Sequence, residues 1–185
     1  IYMEVFKIYG DQDYWSISYE DNLDLHIEEK LDLAMTGISV IKEWEKADVK
    51  IVFRGPKRRI KPDIIDFGGT VGFAITSHAK DILEHLLVPY CELLPLDLNG
   101  EEIYFVNPIT IIDCIDYDNS VIEVRPPINR KNFLKYALKK EIEYPPIFRI
   151  KDEDYSIFIT DKFVQALTEN HLVGYEIMKI WNSEE

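Results

Sequence analysis

Three aspartates crowd into Asp113-Cys-Ile-Asp-Tyr-Asp118. Carboxylate oxygens at Asp113, Asp116 and Asp118 are the ligand type that hard divalent cations take. The segment lacks the glycine and the twelfth-position glutamate of an EF-hand loop. A turn whose Asp, Asn119 and Ser120 side chains bond nearby backbone N–H groups explains the cluster more simply. A metal site at these aspartates is therefore the alternative only, and no cofactor is expected. The histidines are His26, His78, His85 and His171, and none stands in H-x-x-x-H or H-E-x-x-H spacing. Gly68, Gly69 and Gly72 form neither G-x-G-x-x-G nor a loop ending in G-K-[ST]. Ser77-His78 has no third partner in view, and there is no G-x-S-x-G elbow. Paired carboxylates carry little weight in so acidic a chain. These residues point to a binding or structural domain rather than an enzyme.

The net charge is −13. That excludes the usual nucleic-acid binder, which must neutralise phosphates. It suits a basic protein partner. The charge comes in blocks. Residues 1–48 carry 4 basic and 12 acidic groups, whereas 49–61 carry 6 basic and none acidic. A second basic block spans 126–151. Complementary faces within one fold account for such blocks better than separate basic binding sites do. No apolar run approaches the ~18 residues of a membrane span, and no signal-peptide pattern opens the chain. Cys91 and Cys114 fit two buried thiols in a reducing, cytoplasmic setting.

The elements that must position these groups follow from periodicity. Phe73–Tyr90 and Ile157–Tyr175 repeat one phrase. Thr76 matches Thr160 and Leu83 matches Leu167 at an offset of 84, and Leu87-Val-Pro-Tyr90 matches Leu172-Val-Gly-Tyr175 at 85. Each copy, 73–96 and 157–180, predicts a strand, a capped amphipathic helix and a second strand. Asn99-Gly100 between Leu93–Leu98 and Glu101–Val106 is the strongest hairpin signal, because both residues tolerate positive φ. Met3–Tyr9 and Tyr14–Tyr19 alternate and could pair as an opening hairpin. Val49–Arg54, Val121–Arg125, Ile147–Ile150 and Tyr155–Thr160 read as strands. Leu23, Ile27 and Leu31 allow a helix in the acidic run. Asn132–Lys140, bracketed by proline pairs, reads as a basic amphipathic helix. The expected fold is α+β, with a mixed, mostly antiparallel sheet, two equivalent strand-helix-strand units and a central β-hairpin. Residues 1–48 form a hairpin and acidic annex to a main domain at 49–185.

The order of phrases resembles a family of small bacterial immunity proteins from polymorphic toxin systems. The resemblance rests on Lys61-Pro-Asp-Ile-Ile-Asp66, Phe73–Glu84, Glu92-Leu-Leu-Pro-Leu96, Tyr104-Phe-Val-Asn107, Asp113–Ser120, Ile147-Phe-Arg-Ile150, Ile159–Phe163 and Leu172-Val-Gly-Tyr-Glu176. It covers residues from about 49 to 181, and the first 48 match only loosely as an opening hairpin. It implies a protein that neutralises a cognate toxin by stoichiometric binding, and it carries no catalytic residues over. From the charge and the lack of an apolar span, no nucleic-acid partner and no membrane partner are expected. A basic, nuclease-type toxin domain would suit the acidic charge. A small-ligand or divalent-metal-binding accessory domain is the alternative. The expected contact surface is the acidic N-terminal stretch, where Glu20, Asp21, Asp24, Glu28 and Glu29 lie close to Trp15 and Tyr19.

Overall fold

Short alternating runs rich in Ile, Val and Phe favour strands, and here they fill a closed barrel, a five-stranded sheet and a two-stranded ribbon. The computed structural model describes residues 2–19, 25–68, 70–153 and 155–184. The strands are β1 (Glu4–Gly10), β2 (Trp15–Tyr19), β3 (Ala47–Arg54), β4 (Ile64–Phe67), β5 (Phe73–Thr76), β6 (Cys91–Leu98) and β7 (Glu101–Pro108). They continue with β8 (Ile111–Ile112), β9 (Val121–Arg125), β10 (Arg130–Lys135), β11 (Ile147–Ile150), β12 (Ile157–Thr160) and β13 (Tyr175–Asn182). The helices are α1 (Leu25–Met35), α2 (Ser77–Leu87) and α3 (Asp161–Glu169).

Six strands close a barrel in the order β2-β3-β6-β7-β5-β4. Its β2–β4 and β3–β6 contacts are parallel and the others antiparallel. A five-stranded sheet runs β13-β1-β12-β11-β8, antiparallel except for the β11–β8 contact. The fold is thus α+β with mixed, mostly antiparallel pairing.

Period-two alternation sorts the side chains. In β12, Ile157 and Ile159 face the core between barrel and sheet, while Phe158 faces the opposite layer. In β5, Phe73 and Ile75 face that same central core, and Ala74 fills the barrel beside Phe67, Leu94, Leu96 and Phe105. α2 and α3 cover the central core with Leu83 and Leu167, both fully buried. Thr76 caps α2, its Oγ1 accepting from the Ala79 N–H at 3.2 Å, while Thr160 makes no such bond at α3. Between β6 and β7, Asn99 and Gly100 turn the chain with φ of 54° and 84°, and Leu98 pairs with Glu101.

Two sequence expectations are corrected. β1 and β2 do not form a hairpin: β1 lies between β12 and β13, and β2 between β3 and β4. The main chain after Gly10 is held elsewhere, with Asp11 N–H donating to Gly174 O at 2.8 Å. Asn132–Lys140 is not a helix. A turn with positive φ at Asn129 sends β10 back along β9, pairing Arg130 with Arg125 and Phe133 with Ile122. Cross-strand partners override the helix-like spacing there.

Candidate partner-binding surface

α1 presents the acidic surface. Its buried side, Leu31, Ala34 and Met35, plugs the barrel core. Its outer side exposes Glu28, Glu29 and Asp32. Large apolar groups are exposed with them: Leu25, at 74% exposure, and Leu33, followed by Ile38 and Ile41 in the next turn. Of the residues expected at a contact, Glu20, Asp21 and Asp24 lie outside the described residues.

Buried polar groups hold this surface in place. Glu92 accepts from Val40 N–H at 2.9 Å and from the Ser39 hydroxyl. Asn107 Nδ2 donates to Ile38 O at 2.9 Å and to Glu92 at 3.1 Å. Arg149 Nη2 donates to Ala34 O, at the end of α1, at 3.3 Å. Lys30 is buried along its stem and donates to Glu43 O. The stretch from Ala34 to Glu43 is thus tied to β7, β6 and β11, so its exposed side chains stand on a fixed backbone.

The two aromatics named from the sequence stand at opposite ends of β2. Tyr19 packs edge-on against Phe67, with ring centroids 5.3 Å apart, at the α1 end of β2. Burial pushes its phenol well above the ordinary tyrosine range, and Asp32 and Glu28 add to the effect. Trp15 sits at the opposite end of β2, paired with Arg54. Its Nε1 donates to Arg58 O at 2.9 Å, and the Arg54 guanidinium lies over its ring at 5.6 Å. The ends of this five-residue strand are about 14 Å apart at the usual rise per residue. The structure therefore brings Glu28 and Asp32 near Tyr19, leaves Glu29 exposed on the same helix, and leaves Trp15 with the basic segment. The exposed apolar members of the surface are aliphatic. Leu25 and Leu33 break the polar side of the helix pattern, which is the signal that marks them in the sequence.

Asp113, Asp116 and Asp118 lie along a cleft of about 850 Å³ that Trp181 also lines. Asp113 faces Lys151 at 3.0 Å and Lys139 at 3.5 Å, and their hydrogen bonds and charges lower its pKa. Asp116 accepts from Asn119 Nδ2 at 2.7 Å and from the backbone N–H groups of Asp118 and Asn119. These are the contacts of a side-chain-stabilised turn. Among the described residues, no group of three or more His, Cys, Asp or Glu side chains is placed to share a metal ion. Cys91 and Cys114 are buried, unlinked and in different core clusters, and burial pushes both thiols up, Cys114 to about 12. No helix among the described residues is long and apolar enough to cross a membrane.

Residues 10–181 match the model of the Immunity protein family (Imm11). The match takes in β2, α1 and the whole barrel, beyond the span that carried the sequence resemblance. No curated protein matches the chain.

Proposed function

Because the chain belongs to the Imm11 immunity protein family, we propose that it neutralises a cognate toxin by binding it one to one. The family match carries this reading. Immunity proteins generally act by binding rather than catalysis. The contact we assign is the α1 surface with the acidic stretch that precedes it. Its α1 part exposes Glu28, Glu29 and Asp32 together with Leu25 and Leu33, and Ile38 follows on a backbone held by Glu92, Asn107 and Arg149. A fixed backbone lowers the entropy lost on binding, and exposed apolar groups beside charged ones are the composition that protein interfaces use. An acidic surface suits a basic toxin domain, such as a nuclease, because opposite charge accelerates encounter and masks a nucleic-acid groove.

The test is co-expression with the toxin domain encoded beside this chain. Wild type is expected to protect the cell. A variant with Glu20, Asp21, Asp24, Glu28 and Glu29 changed to Ser is expected to associate more slowly, most visibly at low salt. Unchanged association by the folded variant would move the contact elsewhere. No binding by wild type would sink the toxin-neutralising role.

A further inference from the structure

The basic segment at the other end of β2 is only partly neutralised. Lys57 lies 3.6 Å from Asp11 and 3.8 Å from Asp13, and Lys61 pairs with Glu101. Arg54 is spread over the Trp15 ring. Arg58 and Arg59 are exposed and form no ion pair within the described residues. Three large apolar side chains, Val52, Phe53 and Ile60, are exposed beside them. In short, the lysines are paired at home and two arginines are not.

The loop that follows β3 and carries Lys57 to Ile60 is pinned. Gly55 N–H donates to Tyr14 O and Lys57 N–H to Asp13 O, both at 2.8 Å. Arg58 N–H returns to Gly55 O at 3.0 Å, Ile60 N–H to Lys57 O at 2.9 Å, and Trp15 Nε1 holds Arg58 O. Gly55 leaves no room for a Cβ, which would collide with the backbone of Gln12 and Asp13. Arg58 and Arg59 thus stand on a hydrogen-bonded loop, and Phe53 is exposed just before it in β3. Pre-ordered arginine and aromatic side chains are the composition that dominates binding energy at protein interfaces.

We propose that this rim of the barrel is a second docking surface, for a carboxylate-bearing, partly apolar face of the same toxin; the proposal rests on the toxin-binding reading above. Planar guanidinium groups match carboxylates bidentately. A nucleic acid fits less well. It needs many phosphates neutralised, whereas this rim offers two uncommitted arginines on a chain of net charge −13. It also offers no apolar surface along its backbone to cover Val52, Phe53 and Ile60. The roughly 14 Å between the ends of β2 is shorter than the ~30 Å width of a patch of about 800 Å². One toxin can therefore span an acidic end and a basic end. Opposite charges at the two ends would fix its orientation and reject partners of the wrong pattern.

The experiment measures the affinity of the full chain for the toxin domain encoded beside it, at low and at moderate salt. Arg58→Glu with Arg59→Glu is expected to weaken binding at least about thirtyfold, the hot-spot threshold. Phe53→Ala is expected to weaken it about tenfold, with the wild-type melting temperature kept because these side chains are exposed. Arg58→Lys with Arg59→Lys should recover part of the loss, since charge remains and the fork does not. Binding by the folded glutamate variant within threefold of wild type would overturn the proposal and leave the toxin-binding reading standing. Failure of wild type to bind would overturn both. Binding of labelled duplex DNA by wild type, lost in the glutamate variant, would also overturn it by making the rim a polyanion site.

Discussion

Arg149 is a buried cation satisfied by main-chain carbonyls. It donates to Pro108 O at 3.1 Å, Tyr155 O at 3.0 Å and Ala34 O at 3.3 Å. Desolvation lowers its pKa to about 10. Arg149→Met should cost about 3 kcal/mol or more in urea unfolding, because three buried acceptors lose their donor. Amide exchange should also quicken across 34–40 before it does in the barrel. Asp66 gives a pH signature. It is buried, and burial raises its pKa, the Ser16 hydroxyl at 2.6 Å opposes the rise and Asp11 adds to it. An acid whose folded pKa is raised contributes stability below its unfolded value and loses it as pH rises through the folded one. Asp66→Asn should therefore flatten the fall in stability that begins near the unfolded value of about 3.9 and extends upward. An unchanged slope in that window would contradict the assignment. Leu83 and Leu167 were legible from helical spacing alone, and truncating either to Ala should cost about 2–5 kcal/mol. Arg149 was not legible, because its role depends on three segments that meet only in the folded chain.

At the scale of elements, two glycines separate conformational need from steric need. Gly100 has a φ of 84° and open space around its Cα. Gly174 has a φ of 98°, and a Cβ there would collide with Ile64 O and Pro62. Gly100→Ala should cost about 1–2 kcal/mol, the strain of a left-handed residue. Gly174→Ala should lower the melting temperature several times further, since β4 must also move. Equal effects would mean that the contact between the turn before β13 and the start of β4 is not tight. The Asn99-Gly100 hairpin was legible because its signal lies within two residues. The fates of β1 and β2 were not, since each is captured by strands far along the chain, and alternation names a strand without naming its partner. The helix expected at Asn132–Lys140 failed for a related reason. Phe133 and Tyr136 are spaced as on a helix, yet they stack at 4.8 Å beside a strand paired with β9.

For the whole molecule, the alternating charge blocks have a partial explanation in the fold. Lys57 and Lys61 meet acids from other segments, Lys7 meets Glu153 at 2.9 Å, and Lys151 and Lys139 meet Asp113. What remains outward is a fixed acidic surface at α1 and the arginine rim at the far end of β2. The acidic stretch was legible from composition. Leu25 and Leu33 were marked by their breaks in the helix pattern, whereas the separation of Trp15 from Tyr19 needed the barrel. Neutralisation by one-to-one binding is checked by titrating the activity of a cognate toxin domain with purified chain. A linear fall that reaches zero at one equivalent is expected, with a complex of one copy of each. Full inactivation by a small fraction of an equivalent would mean the chain acts catalytically, and full activity at several equivalents would mean it does not neutralise that toxin; either result would contradict the account.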